Sequence, residues 1–254
     1  MSSTYAGVDS SGPALWPVRY RWVVAIAFAF VPVFFTAAAS AASQVLQADD
    51  ATAALTIAGG AAMSAALGVI VMKVSPANLR QFGFRAPQGG RAVLWFLPLL
   101  ITIVLVLATQ GLKVAGFVLV AYAVLTLCVA VNEEVWFRGI ILAVLRGAGV
   151  RVAIIGSSVM FAVLHLANLA GGQTIPEAIL QVVFAALFGV AAAELTVLTG
   201  SLWPAILWHA VWDFANYIGG NTTSSAALVG IGIACAVILA YVLVMWRAAN
   251  HLPS

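Results

Sequence analysis

Apolar runs of about twenty residues recur along the chain, divided by short clusters of Arg, Asp, Pro and Gly. A helix of about 20 apolar residues crosses a hydrocarbon core. Eight such segments can be drawn, at residues 22–43, 51–73, 92–110, 114–146, 151–170, 176–199, 202–219 and 225–247. The pattern predicts an all-α polytopic membrane protein of about eight transmembrane helices. The fourth run is longer than one span needs, which predicts a tilt, a kink or an extension into the cytoplasm. Arg19 and Arg21 ahead of the first run, with Ala39-Ser40-Ala41 inside it, imitate a cleavable leader. The run exceeds the roughly 7–15 apolar residues of a leader, so an uncleaved first span is expected.

Between the runs, Ser75 to Arg91, with Pro76, Pro87, Gly89 and Gly90, is the longest polar connection. Residues 1–18 are expected to form a disordered cytoplasmic N-terminus, 19–248 a single helical membrane domain, and 249–254 a cytoplasmic tail. No internal repeat of fixed period is visible.

Composition excludes a soluble domain. Hydrophobic residues make up 64% of the chain, against roughly 45–50% in soluble proteins, and mean hydropathy is +1.10. The net charge of +3 comes from arginines flanking the spans, so no nucleic-acid partner is implied; the bilayer is the expected partner. Arg19, Arg21, Lys73, Arg80, Arg85, Arg91, Arg146, Arg151 and Arg247 fall on alternate connections or the termini, which predicts cytoplasmic N- and C-termini. Trp16, Tyr20, Trp22, Tyr241 and Trp246 fit an aromatic belt on that side. Cys128 and Cys235 lie within spans, so neither a disulfide nor a Cys-based metal site is indicated. Alanine and arginine usage with few lysines points to a bacterial plasma membrane.

Against this apolar background, Glu133 and Glu134 stand side by side, followed by Arg138. A carboxylate at bilayer depth is disfavoured by about 2.5–3.5 kcal/mol on insertion scales, and its default meaning is a functional site. Glu133 precedes the Arg146 boundary, and His165 follows the Arg151 boundary, by similar distances; at about 1.5 Å per residue both lie roughly 20 Å from the cytoplasmic face. His209 falls near the middle of the short seventh run, and Asp213 shares its helix face. Glu134 and Arg138 have the same i,i+4 spacing and are expected to pair, leaving Glu133, about 100° round the helix, to face another direction. Asn168 and Asn216 could orient the histidines or simply cap helix ends. Glu194 is expected near the cytoplasmic end of the sixth span, solvated or paired with a loop arginine.

Glu133-Glu-Val-Trp-Phe-Arg138, Phe161-Ala-Val-Leu-His165 and His209-Ala-Val-Trp-Asp213 together resemble the three ordered motifs of the CPBP family, the CAAX-protease and bacteriocin-processing (Abi) membrane proteins. The motif region, with a core of about 114–220, carries the resemblance; the amino-terminal third matches only in being membrane helices. The resemblance implies an intramembrane endopeptidase whose helices enclose a water-accessible cavity. It also implies that Glu133 and His165 activate the attacking water, that His209 and Asp213 assist at the scissile carbonyl or complete a metal site, and that Glu134 and Arg138 support the first motif.

The chemistry asks for these residue types on its own terms. Peptide hydrolysis needs a base for water and donors for the oxyanion. Alternatively, Glu133, His165, His209 and Asp213 are all acceptable Zn²⁺ ligands, so a site with no cofactor and a zinc site both remain open. The expected substrate is a hydrophobic peptide or membrane protein; its identity and the oligomeric state are not readable. A catalytically silent immunity or scaffold protein would keep the fold and lose part of the constellation. A proton-coupled transporter would also use intramembrane Glu and His, but commonly shows inverted repeats.

Overall fold

The computed structural model describes residues 18–88, 97–220 and 224–249. The expectations placed on residues 1–17 and 250–254, on Trp16 and on Arg91 lie outside the described residues. Its elements are α1 (Arg21–Val45), α2 (Asp50–Val74), α3 (Leu97–Gln110), α4 (Phe117–Glu134), a π-helix (Val135–Ile141), α5 (Leu142–Leu145), α6 (Val150–Leu164), α7 (Ile175–Thr199), α8 (Trp203–Gly219) and α9 (Ser225–Ala249). No strand occurs among the described residues.

The eight apolar runs all appear as helical segments. Six helical stretches, Arg21–Val45, Asp50–Val74, Phe117–Ala148, Val150–Gly171, Ile175–Thr199 and Ser225–Arg247, are long and apolar enough to cross a membrane. The other two runs give shorter helices, 14 residues in α3 and 17 in α8. The protein is a multi-pass, all-α membrane protein. Large apolar side chains such as Phe30, Phe34, Val104 and Leu243 stay exposed along these helices, as lipid-facing surfaces require.

Local chemistry sets the helix ends. Asp49 accepts the Thr52 N–H at 2.7 Å and caps α2; that bond holds its carboxyl below the usual carboxylate range. Thr174 and Glu177 form a capping box at the start of α7. Gly200, at φ +63°, ends α7 in the left-handed conformation.

Packing follows the small residues. Ala54, Ala58, Ala61, Ala65 and Gly68 form a buried stripe on α2 that lets α4 and the π-helix approach closely. A Cβ on Gly68 would come within 2.6 Å of Val135 Cγ1. The Trp136 indole N–H, one helical turn further, donates to Ser64 Oγ at 3.0 Å and to Ser64 O at 3.2 Å. α4 also packs on α8, α6 on α7, and α9 on α3 and α7.

The extra length of the fourth run is explained by this join. α4 continues through the π-helix into α5 and a 3₁₀ turn at Arg146–Ala148. At one end of the bundle the 81–88 loop docks on the α7–α8 turn: Arg85 Nε donates to Gly200 O at 2.6 Å, Ser201 Oγ donates to Arg85 O at 2.6 Å, and Leu202 N–H donates to Gly83 O at 2.9 Å. At another connection Lys113 N–H donates to Ile218 O.

Two expectations are corrected here. Tyr241 is 5% exposed and belongs to the main apolar core rather than to an interfacial belt. Glu194 is fully buried, and neither of its oxygens has a hydrogen-bond partner among the described residues. The surrounding α7 segment, from Ala191 to Val197, is buried on every side, so Glu194 is not solvated, and it forms no ion pair with an arginine among the described residues.

Candidate active site

The site forms where α4 meets α8. Glu133 and Glu134 are the last residues but one and the last of α4, immediately before the π-helix. π-Turns inside α-helices concentrate at functional sites because they re-aim side chains. His209 and Asp213 stand one turn apart on α8.

His209 is the hub. Its Nδ1 lies 2.9 Å from Glu134 Oε1, and its Nε2 lies 3.5 Å from Glu133 Oε2 and 3.5 Å from Asp213 Oδ2. An ionised carboxylate only accepts, so Nδ1 carries a proton and donates to Glu134. Nε2 is then the nitrogen presented to the other two carboxylates, at separations that suit a shared proton or an inserted water. The two adjacent glutamates thus address the two nitrogens of one imidazole. Glu133 makes no ion pair with Arg138 among the described residues, and its carboxylate lies on the other side of the ring from Glu134's.

Arg138 completes the buried side. Its Nη1 is 3.2 Å from Glu134 Oε1, the i,i+4 pair that the spacing indicates. Its guanidinium carbon sits 4.2 Å from the Phe161 ring centroid, a cation–π contact within the range that is attractive when desolvated. Phe188 stacks on Trp208 at 4.2 Å and meets the His209 ring at 4.7 Å. Aromatic rings therefore wall the cluster from the bundle interior.

Exposure gives the site a direction. Side-chain exposure is 0% for Glu134, 1% for Arg138 and 7% for His209, but 20% for Glu133 and 28% for Asp213. Glu133 and Asp213 form the open edge, where water and a chain could approach.

His165 lies at the α6 end, where the helix tightens into the 3₁₀ segment His165–Gly171. Its Nδ1 is 2.8 Å from Phe161 O. The carbonyl can only accept, so Nδ1 donates and Nε2 keeps its lone pair. The ring packs on Phe161 at 4.6 Å, and no hydrogen bond joins it to Glu133. Asn168 and Asn216 are used elsewhere. Asn168 donates to Gln181 Oε1 at 2.9 Å; Asn216 accepts from Gln110 Nε2 at 3.0 Å and donates to Trp212 O at 2.9 Å. Asn132, fully buried beside the pair, has no side-chain partner among the described residues. Among the described residues no three His, Cys, Asp or Glu side chains are disposed as a metal-ligand group.

Fold and site define the class: a polytopic helical membrane protein with an imidazole held among carboxylates inside the bundle. Residues 114–215 match the family model described as type II CAAX prenyl endopeptidase Rce1-like. This stretch contains Glu133, Glu134, Arg138, His165, His209 and Asp213, and the match supports the resemblance of the motif region to the CPBP family of CAAX-type peptidases. Comparisons with curated proteins and with solved structures gave no significant match.

Proposed function

We propose that the protein is an intramembrane endopeptidase that hydrolyses hydrophobic peptides or the ends of membrane proteins, with Glu133 as general base. The observation that carries this reading is the three-carboxylate arrangement around His209, inside the family-matched stretch and open only at Glu133 and Asp213.

In this reading a water at the open edge gives one proton to Glu133 as its oxygen attacks the scissile carbonyl carbon. The C=O π pair moves onto oxygen, where a proton held at His209 Nε2 supplies the donor an oxyanion needs. Collapse of the tetrahedral species breaks the C–N bond, and the proton on Glu133 passes to the leaving amine. Both products leave and the base is restored. His165, whose Nε2 lone pair is free, accepts a second hydrogen bond from the water and orients it. Glu134 holds the Nδ1–H of His209 and so sets which nitrogen faces the substrate. Asp213 restrains the Nε2 side. Each of these steps uses side chains alone; were a Zn²⁺ bound, Glu133, His165, His209 and Asp213 would be the residues to hold it, and it would supply the Lewis acid that polarises the carbonyl.

The sides of the bilayer follow from the arginine distribution: both termini and the 75–88 loop cytoplasmic. The test is cleavage. Purified protein in detergent is offered a library of quenched hydrophobic peptides beside a Glu133→Gln control. Loss of a general base lowers turnover by about 10²–10⁴-fold. A wild-type protein that cleaves nothing, or a Glu133→Gln protein that cleaves as well as wild type, overturns the reading.

A further inference from the structure

Arg138 reaches a second cavity, which none of the acidic or imidazole groups of the site lines. Its walls include Gln81, Arg85, Arg138, Arg146, Thr196 and Gly200, so it sits where the 81–88 loop, the end of α5 and the end of α7 meet. Three guanidinium groups line it and no carboxylate does. Arg138 is 2% exposed, and its Nε and Nη2 hydrogen-bond nothing among the described residues. The Arg146 Nε is likewise buried without a partner. Arg85 and Arg146 line the same cavity, and neither has a carboxylate within ion-pair distance among the described residues. The backbone is shaped around one of these head groups: a Cβ on Gly200 would collide with the Arg85 guanidinium.

Converging cations with idle donors are stable only beside a counter-charge, and guanidinium forks bind planar or tetrahedral oxyanions through paired N–H bonds. A carboxylate offers two oxygens, whereas a phosphate group offers enough acceptors and charge to engage three forks. We propose that this cavity is a binding site for a phosphate-class oxyanion, supplied either as free phosphate or as a phospholipid headgroup. The site is independent of the peptidase reading. It meets that machinery only through Arg138, whose other side holds Glu134.

The test uses the purified full chain in detergent and reads the thermal unfolding midpoint. One arm titrates sodium phosphate against sodium chloride at matched ionic strength. The other titrates phosphatidylglycerol against phosphatidylcholine in mixed micelles free of phosphate. A saturable rise in the first arm identifies the free anion, in the second the headgroup, and in both the shared chemistry; each supports the site. Arg146→Gln should weaken the apparent affinity by about tenfold or more, the loss of one charge-assisted contact. Gln81→Glu guards against misfolding of that variant. The Gln81 Oε1 accepts the Asn78 N–H at 2.8 Å, which a glutamate oxygen can also do, while its charge opposes the anion. The proposal is overturned by the absence of a saturable shift in both arms, by shifts of equal size in both variants, or by a shift given only by a peptide with a free C-terminal carboxylate.

Discussion

One oxygen of Glu134 serves two residues: Oε1 receives His209 Nδ1 at 2.9 Å and Arg138 Nη1 at 3.2 Å. A single buried carboxylate thereby couples the ion pair that holds the helix together to the imidazole that faces the substrate. Removing Arg138 strips that carboxylate of its guanidinium partner among aromatic rings.

Arg138→Ala should therefore lower stability by about 3–5 kcal/mol, the usual cost of breaking a buried pair from one side. Glu133→Gln, at the open edge, should unfold at the wild-type temperature while losing catalysis. Thermal unfolding in detergent, run beside peptide cleavage, separates the two; an Arg138→Ala protein of wild-type stability with selectively lost activity would contradict the division.

Asp213→Asn distinguishes a role in restraining His209 from one in holding a metal. Asn keeps an acceptor for the Nε2 side, so a side-chain-only enzyme should retain activity within about tenfold. Activity, bound metal and chelator sensitivity should be measured together. Metal that copurifies with wild type and is lost with activity in the variant would defeat the side-chain-only mechanism.

Gly68→Ala should damage the site from a distance. Its Cβ would press on Val135 and Trp136 at the start of the π-helix, and overpacking of this kind typically costs about 1–3 kcal/mol. We expect both a lower unfolding midpoint and a turnover reduced beyond what the unfolded fraction explains. Normal specific activity in the folded fraction would show that the glutamates tolerate movement of this contact.

Topology is checked by thiol labelling in intact cells, after Cys128 and Cys235, both half-buried, are replaced by Ser. Cysteines at Gln81 and Gln88 should resist an impermeant reagent, while those at Gln47 and Gly172 should react. Labelling at position 81 from outside would invert the orientation and place the open edge of the site on the other face.

Apolar run length made the helices legible, because each span must satisfy its own backbone in lipid; the runs and the observed helices agree to within a few residues where they are described. That Glu133, His165 and His209 lie at similar depth was legible from their distances to the flanking arginines; that His209, rather than His165, is the imidazole in contact with the glutamates was not. What the residues did not disclose depends on cross-helix packing. Asn168 and Asn216 read as companions of the histidines, yet Gln181 and Gln110 engage them instead. Glu194 read as a boundary charge because its linear position is close to a helix end, but its neighbours on α7 are buried all round. Regular α-helical geometry turns the two glutamates in different directions, and Glu133 stays clear of Arg138; that both carboxylates would meet one imidazole depends on how α8 packs, which linear spacing does not disclose.

The π-helix gives that geometry a further consequence. A π-turn amounts to one residue more than a regular helix would use over the same rise, so Val135–Ile141 takes up one extra residue between the glutamates and Arg146. Deleting one residue within it would restore an α-helical ladder and leave the α5 end close to its present phase, because the wider turn is what absorbs the extra residue; what would change is the aim of the side chains inside the segment, Arg138 among them. A one-residue difference in chain length between the glutamates and Arg146 is therefore tolerable to the bundle but not neutral for the site, because it removes the turn that sets how Arg138 meets Glu134.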